Sequence, residues 1–335
     1  MTLTINKETM RTITLEEHYV TPAYLDGPGQ QLKASLQPRP ANQAQTVFDQ
    51  LCDLSERRVA DMDDAGIDVQ ILSIATPGVE QLEAAEAEKV ARESNDYVAE
   101  AVKRYPTRLG VFATLPTAAP IKAADELERT IHEYGFKGAV INGHIRGRYL
   151  DDKFFWPILE RAEALRVPIY LHPTRPPQPV IDASYSGSFS QEVTALLAAS
   201  AWGWHIETAT HVLRLILGGA FDKYPDLQLI IGHLGEALPF MLPRIDNNLT
   251  REVTKLERPV ESYLRENIHY TFSGFNYVPA FLDLLLEVGL DRIMFSVDYP
   301  YRSMAEACSF LGKLPLSPAD KHRILHINAE HLLRL

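Results

Sequence analysis

The sequence predicts a (β/α)8 barrel, a TIM-barrel α/β fold. Two observations carry that reading. Short runs rich in Val, Ile, Leu and Phe recur eight times along the 335 residues, and amphipathic segments separate them. A third observation sets aside the runner-up, an open doubly wound sheet. Such a sheet carries a glycine-rich phosphate loop after its first strand, whereas here the first run leads into Glu16-Glu17-His18-Tyr19-Val20.

The strand candidates are residues 12–17, 69–73, 109–112, 139–142, 168–172, 229–232, 268–271 and 293–297. Each is brief and apolar, as strands buried on both faces are. Helical patterns lie between them. Residues 83–105 are alanine-rich, charged on one side and stopped by Pro106; residues 123–134 stop at Gly135. Residues 155–165 end before Pro168, and 193–221 form one long helix ending before Pro225. Residues 278–288 stop at Gly289, and 318–335 close the chain. Strands alternating with helices imply parallel pairing through right-handed crossovers. Residues 21–50 and 174–191 are rich in Pro and Gly with little periodicity, so long loops are expected after strands 1 and 5. No repeat or linker divides the chain, which reads as a single domain over 1–335.

Composition narrows the function. The chain holds 33 basic and 44 acidic residues, a net charge of −11, with no basic stripe for a nucleic-acid backbone. Its two cysteines exclude a disulfide framework and a thiolate zinc site. No apolar run is long enough for a membrane span, and the first residues lack the apolar stretch of a signal peptide. A cytoplasmic protein with no membrane partner is expected.

Barrel chemistry is done at the carboxyl ends of the strands. Glu16 and His18 follow strand 1, His172 ends strand 5, His233 follows strand 6 and Asp298 follows strand 8. On a regular strand Glu16 and His18, two apart, point the same way. Glu16, His18, His172 and Asp298 make an oxygen–nitrogen ligand set that suits Zn²⁺, Mn²⁺ or Fe²⁺. Strand 4 ends in Asn142 rather than a bridging lysine, which favours one metal ion. Taken singly, His172 also reads as a strand cap and Asp298-Tyr299-Pro300 as a turn. Their convergence on one face favours the site.

At these residues the sequence resembles the amidohydrolase-related, metal-dependent aromatic acid decarboxylases: the 2,3-dihydroxybenzoate, γ-resorcylate and salicylate enzymes. The marks are Leu15-Glu16-Glu17-His18, the run from Asp63 to Gln70, and Pro168-Ile169-Tyr170-Leu171-His172-Pro173. Further along come Gly232-His233-Leu234-Gly235-Glu236, Arg244-Ile245-Asp246, Ser296-Val297-Asp298-Tyr299-Pro300 and Asn328-Ala329-Glu330-His331-Leu332. The resemblance covers nearly the whole chain. Glu-x-His on strand 1 is like the ortho-hydroxybenzoate enzymes, whereas many hydrolases carry His-x-His there. One departure is Asn247-Asn248 after Asp246, where the benzoate enzymes often have histidine and arginine.

The resemblance implies an amidohydrolase-like barrel that releases CO₂ reversibly from an ortho-hydroxybenzoic acid of the 2,3-dihydroxybenzoate, 2,6-dihydroxybenzoate or salicylate type, leaving a phenol. It implies Glu16, His18, His172 and Asp298 as metal ligands, His233 and Glu236 as a catalytic pair, and Arg244 at the substrate. One divalent ion per chain is expected, Zn²⁺ first, then Mn²⁺ or Mg²⁺, with no organic cofactor. A homodimer or homotetramer acting on a small aromatic acid is expected. Asp298 is the first candidate for proton donor and His233 the second. Two readings compete: metal-dependent hydrolysis of a lactone or amide, in which Asp298 activates water, and a non-catalytic barrel.

Overall fold

The computed structural model describes residues 10–32, 36 and 41–335. Nine parallel strands follow the expected runs: β1 (Ile13–Tyr19), β2 (Val69–Ile74), β3 (Leu109–Val111), β4 (Ala113–Thr114), β5 (Ala139–Asn142), β6 (Ile169–His172), β7 (Leu229–Ile231), β8 (Ile268–Thr271) and β9 (Ile293–Met294). The third expected strand is interrupted at Phe112, which gives β3 and β4. They belong to ladders of order β1-β2-β3 and β4 to β9.

The ladders join at both edges. The Phe112 N–H donates to Leu72 O at 2.9 Å across the first junction. At the second, Leu15 bridges Ser296 in parallel and the His18 N–H donates to Tyr299 O at 2.6 Å. The ring is thus an eight-stranded barrel in which β3 and β4 serve as one strand. Every residue of these strands is buried, because side chains fill the interior and helices cover the outside.

Helix ends follow local chemistry. The helix Pro120–Tyr134 begins with proline and ends at Gly135, whose φ of +69° suits a residue without a side chain. Two expected loops hold more structure than expected. Residues 21–50 contain helices Pro22–Asp26 and Ala41–Cys52 and a 3₁₀ turn, Pro28–Gln31. Prolines that read as breakers are helix starters here: Pro22 follows Thr21, whose hydroxyl accepts the Tyr24 N–H. In the loop after β6, Pro179 lies in the first turn of Gln178–Ser184.

The long helix expected over 193–221 is three pieces: Gln191–Leu197, Gly203–Leu217 and Ala220–Lys223. The first break is a close backbone approach, since a Cβ on Gly203 would lie 2.4 Å from Ala198 O. The second falls at Gly219, with φ +76°. The final region is helical with a π-helical stretch, Arg323–Ile327. No helix among the described residues is long and apolar enough to cross a membrane.

Two histidines buried away from the carboxyl ends of the strands, His211 and His269, bear on stability. His211 accepts the Leu150 N–H at 2.9 Å, and burial, with the fields of His144 and Arg214, pushes its pKa down to about 3. Burial, with Arg292 and His331, does the same to His269, also to about 3. Both groups are therefore neutral in the fold and free to take a proton once unfolded. Their contribution is full above the unfolded pKa near 6.5 and is lost as pH falls from there towards 3. Denaturant titrations should show stability falling below about pH 6.5, by about 1.4 kcal/mol per pH unit per group at the limiting slope. The His211→Gln/His269→Gln protein should show a shallower fall. An unchanged slope would mean that these imidazoles do not set it.

Candidate metal centre and active site

The strand-end residues meet at the floor of one cavity of about 1330 Å³, lined among others by His18, His172, His233 and Asp298. Glu16 lies beneath it, fully buried. Glu16 and His18 do not reach this point by simple alternation. The β1–β2 register slips between Leu15 and Glu17, so Glu16 is the extra residue of a β-bulge, with φ +69°. The bulge turns Glu16 towards β6 and β8. Its Oε2 accepts hydrogen bonds from Tyr170 and Ser273, two hydroxyls themselves linked to Thr271. Glu17 instead joins the barrel seam, accepting the Val297 N–H at 2.9 Å and the Tyr299 N–H at 3.3 Å.

The free atoms of this group face one another. His172 Nε2 is 3.3 Å from Glu16 Oε1, and His18 Nε2 is 3.3 Å from Asp298 Oδ1. Glu16, His18 and His172 each offer a ligand atom within 4.8 Å of the others, and Asp298 stands beside His18 outside that trio. His172 Nδ1 lies 2.8 Å from Pro173 O, so the proton sits on Nδ1 and the Nε2 lone pair faces a carboxylate oxygen. Two lone pairs facing each other at this distance repel unless a cation lies between them. Glu16 Oε1 and both His18 ring nitrogens are buried without a hydrogen-bond partner, an expensive state that a shared cation relieves. Burial alone would raise the Glu16 pKa. When a proton rather than a metal ion fills that gap, the His172 bond and the charges of His233, His172 and His18 outweigh it and bring the carboxyl to about 2. The donor set therefore fits a divalent cation.

His233 and Glu236 follow β7 in an unusual turn. The five residues from His233 to Ala237 all have positive φ, between +51° and +94°. A left-handed turn of L-residues costs about 1–2 kcal/mol per non-glycine residue. It brings Glu236 Oε1 to 2.8 Å from His233 Nδ1. Burial opposes a charge on His233, but Glu236 first, then Glu16 and Asp298, raise its pKa to about 10.

Other residues fall differently. Arg244 is exposed on the helix Leu238–Asn248 and does not line the cavity; among the described residues the lining guanidinium groups are Arg175 and Arg302. Trp204 lines the cavity, whereas Trp202 and Phe189 are exposed outside it, and Tyr299 is buried against Arg58. His144, just past β5, is a buried lining residue. His205 has no role in the sequence reading, yet it touches Glu236 and lines the cavity. It lies far from any strand end in sequence, so no motif flagged it.

Comparison with known proteins agrees with this fold. A sequence model of the amidohydrolase family matches residues 34–335. A γ-resorcylate decarboxylase from Polaromonas sp. (strain JS666) is 37% identical over 334 residues, spanning 96% of this chain and 98% of that one. The structure of a dihydroxybenzoic acid decarboxylase from Polaromonas sp. JS666, with manganese and the inhibitor 2-nitroresorcinol, is similar with a TM-score of 0.86. Its identity is 36%, and 97% of each chain is covered. A 5-carboxyvanillate decarboxylase structure from Novosphingobium aromaticivorans, with manganese and a nitrobenzoic acid, gives 0.89 and 34%, with 98% of each chain covered. By the family match and by full-length relatives such as these, the chain belongs to the amidohydrolase family.

Proposed function

We propose that this protein is a metal-dependent, non-oxidative decarboxylase of an ortho-hydroxybenzoic acid, releasing CO₂ and leaving a phenol. The observation that carries the reading is the buried meeting of Glu16, His18 and His172, with Asp298 beside them, at the floor of a cavity large enough for an aromatic acid. The full-length likeness to γ-resorcylate decarboxylases supports the substrate class.

Glu16, His18, His172 and Asp298 would hold one divalent ion. The oxygen–nitrogen donors suit Zn²⁺, and the manganese in two similar structures supports Mn²⁺ equally. Held by these residues, such an ion would supply Lewis-acid stabilisation of the negative charge on a hydroxybenzoate and favour its ionised phenol.

The difficult step places a proton on the ring carbon that bears the carboxylate, interrupting aromaticity. Loss of CO₂ then restores it, with the C–C bonding pair returning to the ring. Asp298 stands at the cavity side of the trio and is our first candidate to deliver that proton. His233, its Nδ1 engaged by Glu236, presents the cavity with its other nitrogen and is the second. Arg302 and Arg175 line the cavity with no carboxylate partner among the described residues, which supports them over Arg244 as the groups that meet a substrate anion within one chain.

Assembly as a dimer or tetramer is part of the reading. The neighbouring helices Leu238–Asn248 and Val278–Val288 leave Phe240 and Leu286 exposed by 76% and 84%. Light scattering should give at least a dimer, and a monomer would contradict this.

The direct test is CO₂ release from 2,6-dihydroxybenzoate, 2,3-dihydroxybenzoate and salicylate, alongside a lactone panel. Release from at least one acid and no lactone opening is expected; the reverse pattern would establish the hydrolase reading. Asp298→Asn should retain metal and lose about 10²–10⁴-fold in turnover, the usual range for a proton-transfer group. Near-normal turnover would remove Asp298 as donor. Arg302→Met should raise KM several-fold and leave kcat within about twofold, the signature of binding shared by ground and transition states. An unchanged KM would show that Arg302 does not touch the substrate.

A further inference from the structure

We propose that His205 is a positioning residue of this site: its imidazolium grips Glu236 from the side away from His233 and fixes the carboxylate that orients His233. The inference rests on the decarboxylase reading for its kinetic consequence and on geometry alone for its structural one.

His205 stands in the first turn of the helix Gly203–Leu217. Both its ring nitrogens face acceptors: Nδ1 lies 2.5 Å from Glu236 Oε2, and Nε2 lies 3.1 Å from Ser200 O. A backbone carbonyl only accepts, so Nε2 carries a hydrogen. A neutral ring would then turn a bare Nδ1 lone pair onto a carboxylate oxygen. The other Glu236 oxygen is taken by His233 Nδ1 at 2.8 Å. The Glu236 side chain is wholly buried, which alone would favour its neutral form. The charge on His233 and the bonds from His205 and His233 reverse this and hold its pKa below the usual carboxylate range. Donating from both nitrogens, His205 satisfies Ser200 O and Glu236 Oε2 at once, and this is the assignment proposed.

The two rings approach edge to face, centroids 4.7 Å apart, and grip the carboxylate in concert. Three potential ligands gathered this closely also have the spacing of a second metal site. The hydrogen bonds argue otherwise, because only His233 Nε2 is left to offer a cation. The local backbone is built to bring His205 here: the chain turns back at 198–202, and the close approach at Gly203 to Ala198 leaves no room for a side chain. Without His205, Glu236 loses one of its two donors and can rotate away from the orientation that fixes the His233 ring. The expected loss is then in the chemical step and not in substrate binding.

In the reconstituted enzyme, His205→Phe should lower kcat about 10- to 100-fold, the range for outer partners of catalytic groups, with KM within about twofold. His205→Gln, whose amide can donate to Glu236, should recover most of that loss. An unchanged kcat in His205→Phe, or a rise in KM alone, would overturn the proposal. Nitrogen-15 NMR of histidine-labelled wild-type protein at neutral pH gives a readout independent of turnover. Both His205 ring nitrogens should be protonated, and one proton should be lost in Glu236→Gln. A singly protonated His205 in the wild type would overturn the proposal. If the wild type released no CO₂ from any acid tested, the decarboxylase reading would fail while the NMR result still decided His205.

Discussion

The site depends on keeping the Glu16 carboxylate ionised where water cannot reach it. Removing a carboxylate from water costs several kcal/mol after relaxation. The chain offsets this with hydroxyl donors on one oxygen, Tyr170 from β6 and Ser273 from just past the end of β8. Those donors stabilise only half of the group. Oε1 is left with nothing but the Nε2 lone pair of His172 before it, which is an arrangement for holding a cation and not for stability alone. The barrel makes the convergence possible, because the carboxyl ends of strands far apart in sequence and across the ring, such as β1 and β6, meet at one end of it.

Backbone conformation shows where the fold has been bent for chemistry. Glu16 and Asp298 both have φ +69°, and the turn from His233 to Ala237 is left-handed throughout. L-residues seldom adopt this conformation, and it persists only where surrounding structure over-determines it. Here it coincides with the candidate ligands and with the His233–Glu236 pair. The same turn carries Gly235, at φ +94°, where a Cβ would lie 2.7 Å from the ring of Pro239.

Much of this was legible in the sequence. The apolar runs mark the strands because burial on both faces leaves no polar alternation to confuse them, and His172 and Asp298 stand out as polar residues at their ends. The convergence of Glu16 with His18 was also legible, but for an incomplete reason. Strand alternation suggested it, while a bulge produces it, and a bulge without glycine leaves no mark in composition. The prolines misled in the other direction: at 22, 28 and 179 they open helices or turns that read as loop. Arg244 was named from its resemblance to a motif, which says nothing about where an exposed helix points it. His205 was invisible because its partners, Glu236 and the Ser200 carbonyl, are brought to it only by the folded chain.

The most direct test of the central claim is metal content and CO₂ release measured together on wild-type protein, on protein stripped with a chelator, and on Glu16→Gln. The account predicts about one divalent ion per wild-type chain, consistent with a single set of buried N and O donors. It predicts no release from stripped protein, recovery on adding Zn²⁺ or Mn²⁺, and neither stable metal nor recovery in Glu16→Gln. Undiminished CO₂ release from metal-free protein, or from Glu16→Gln, would contradict it.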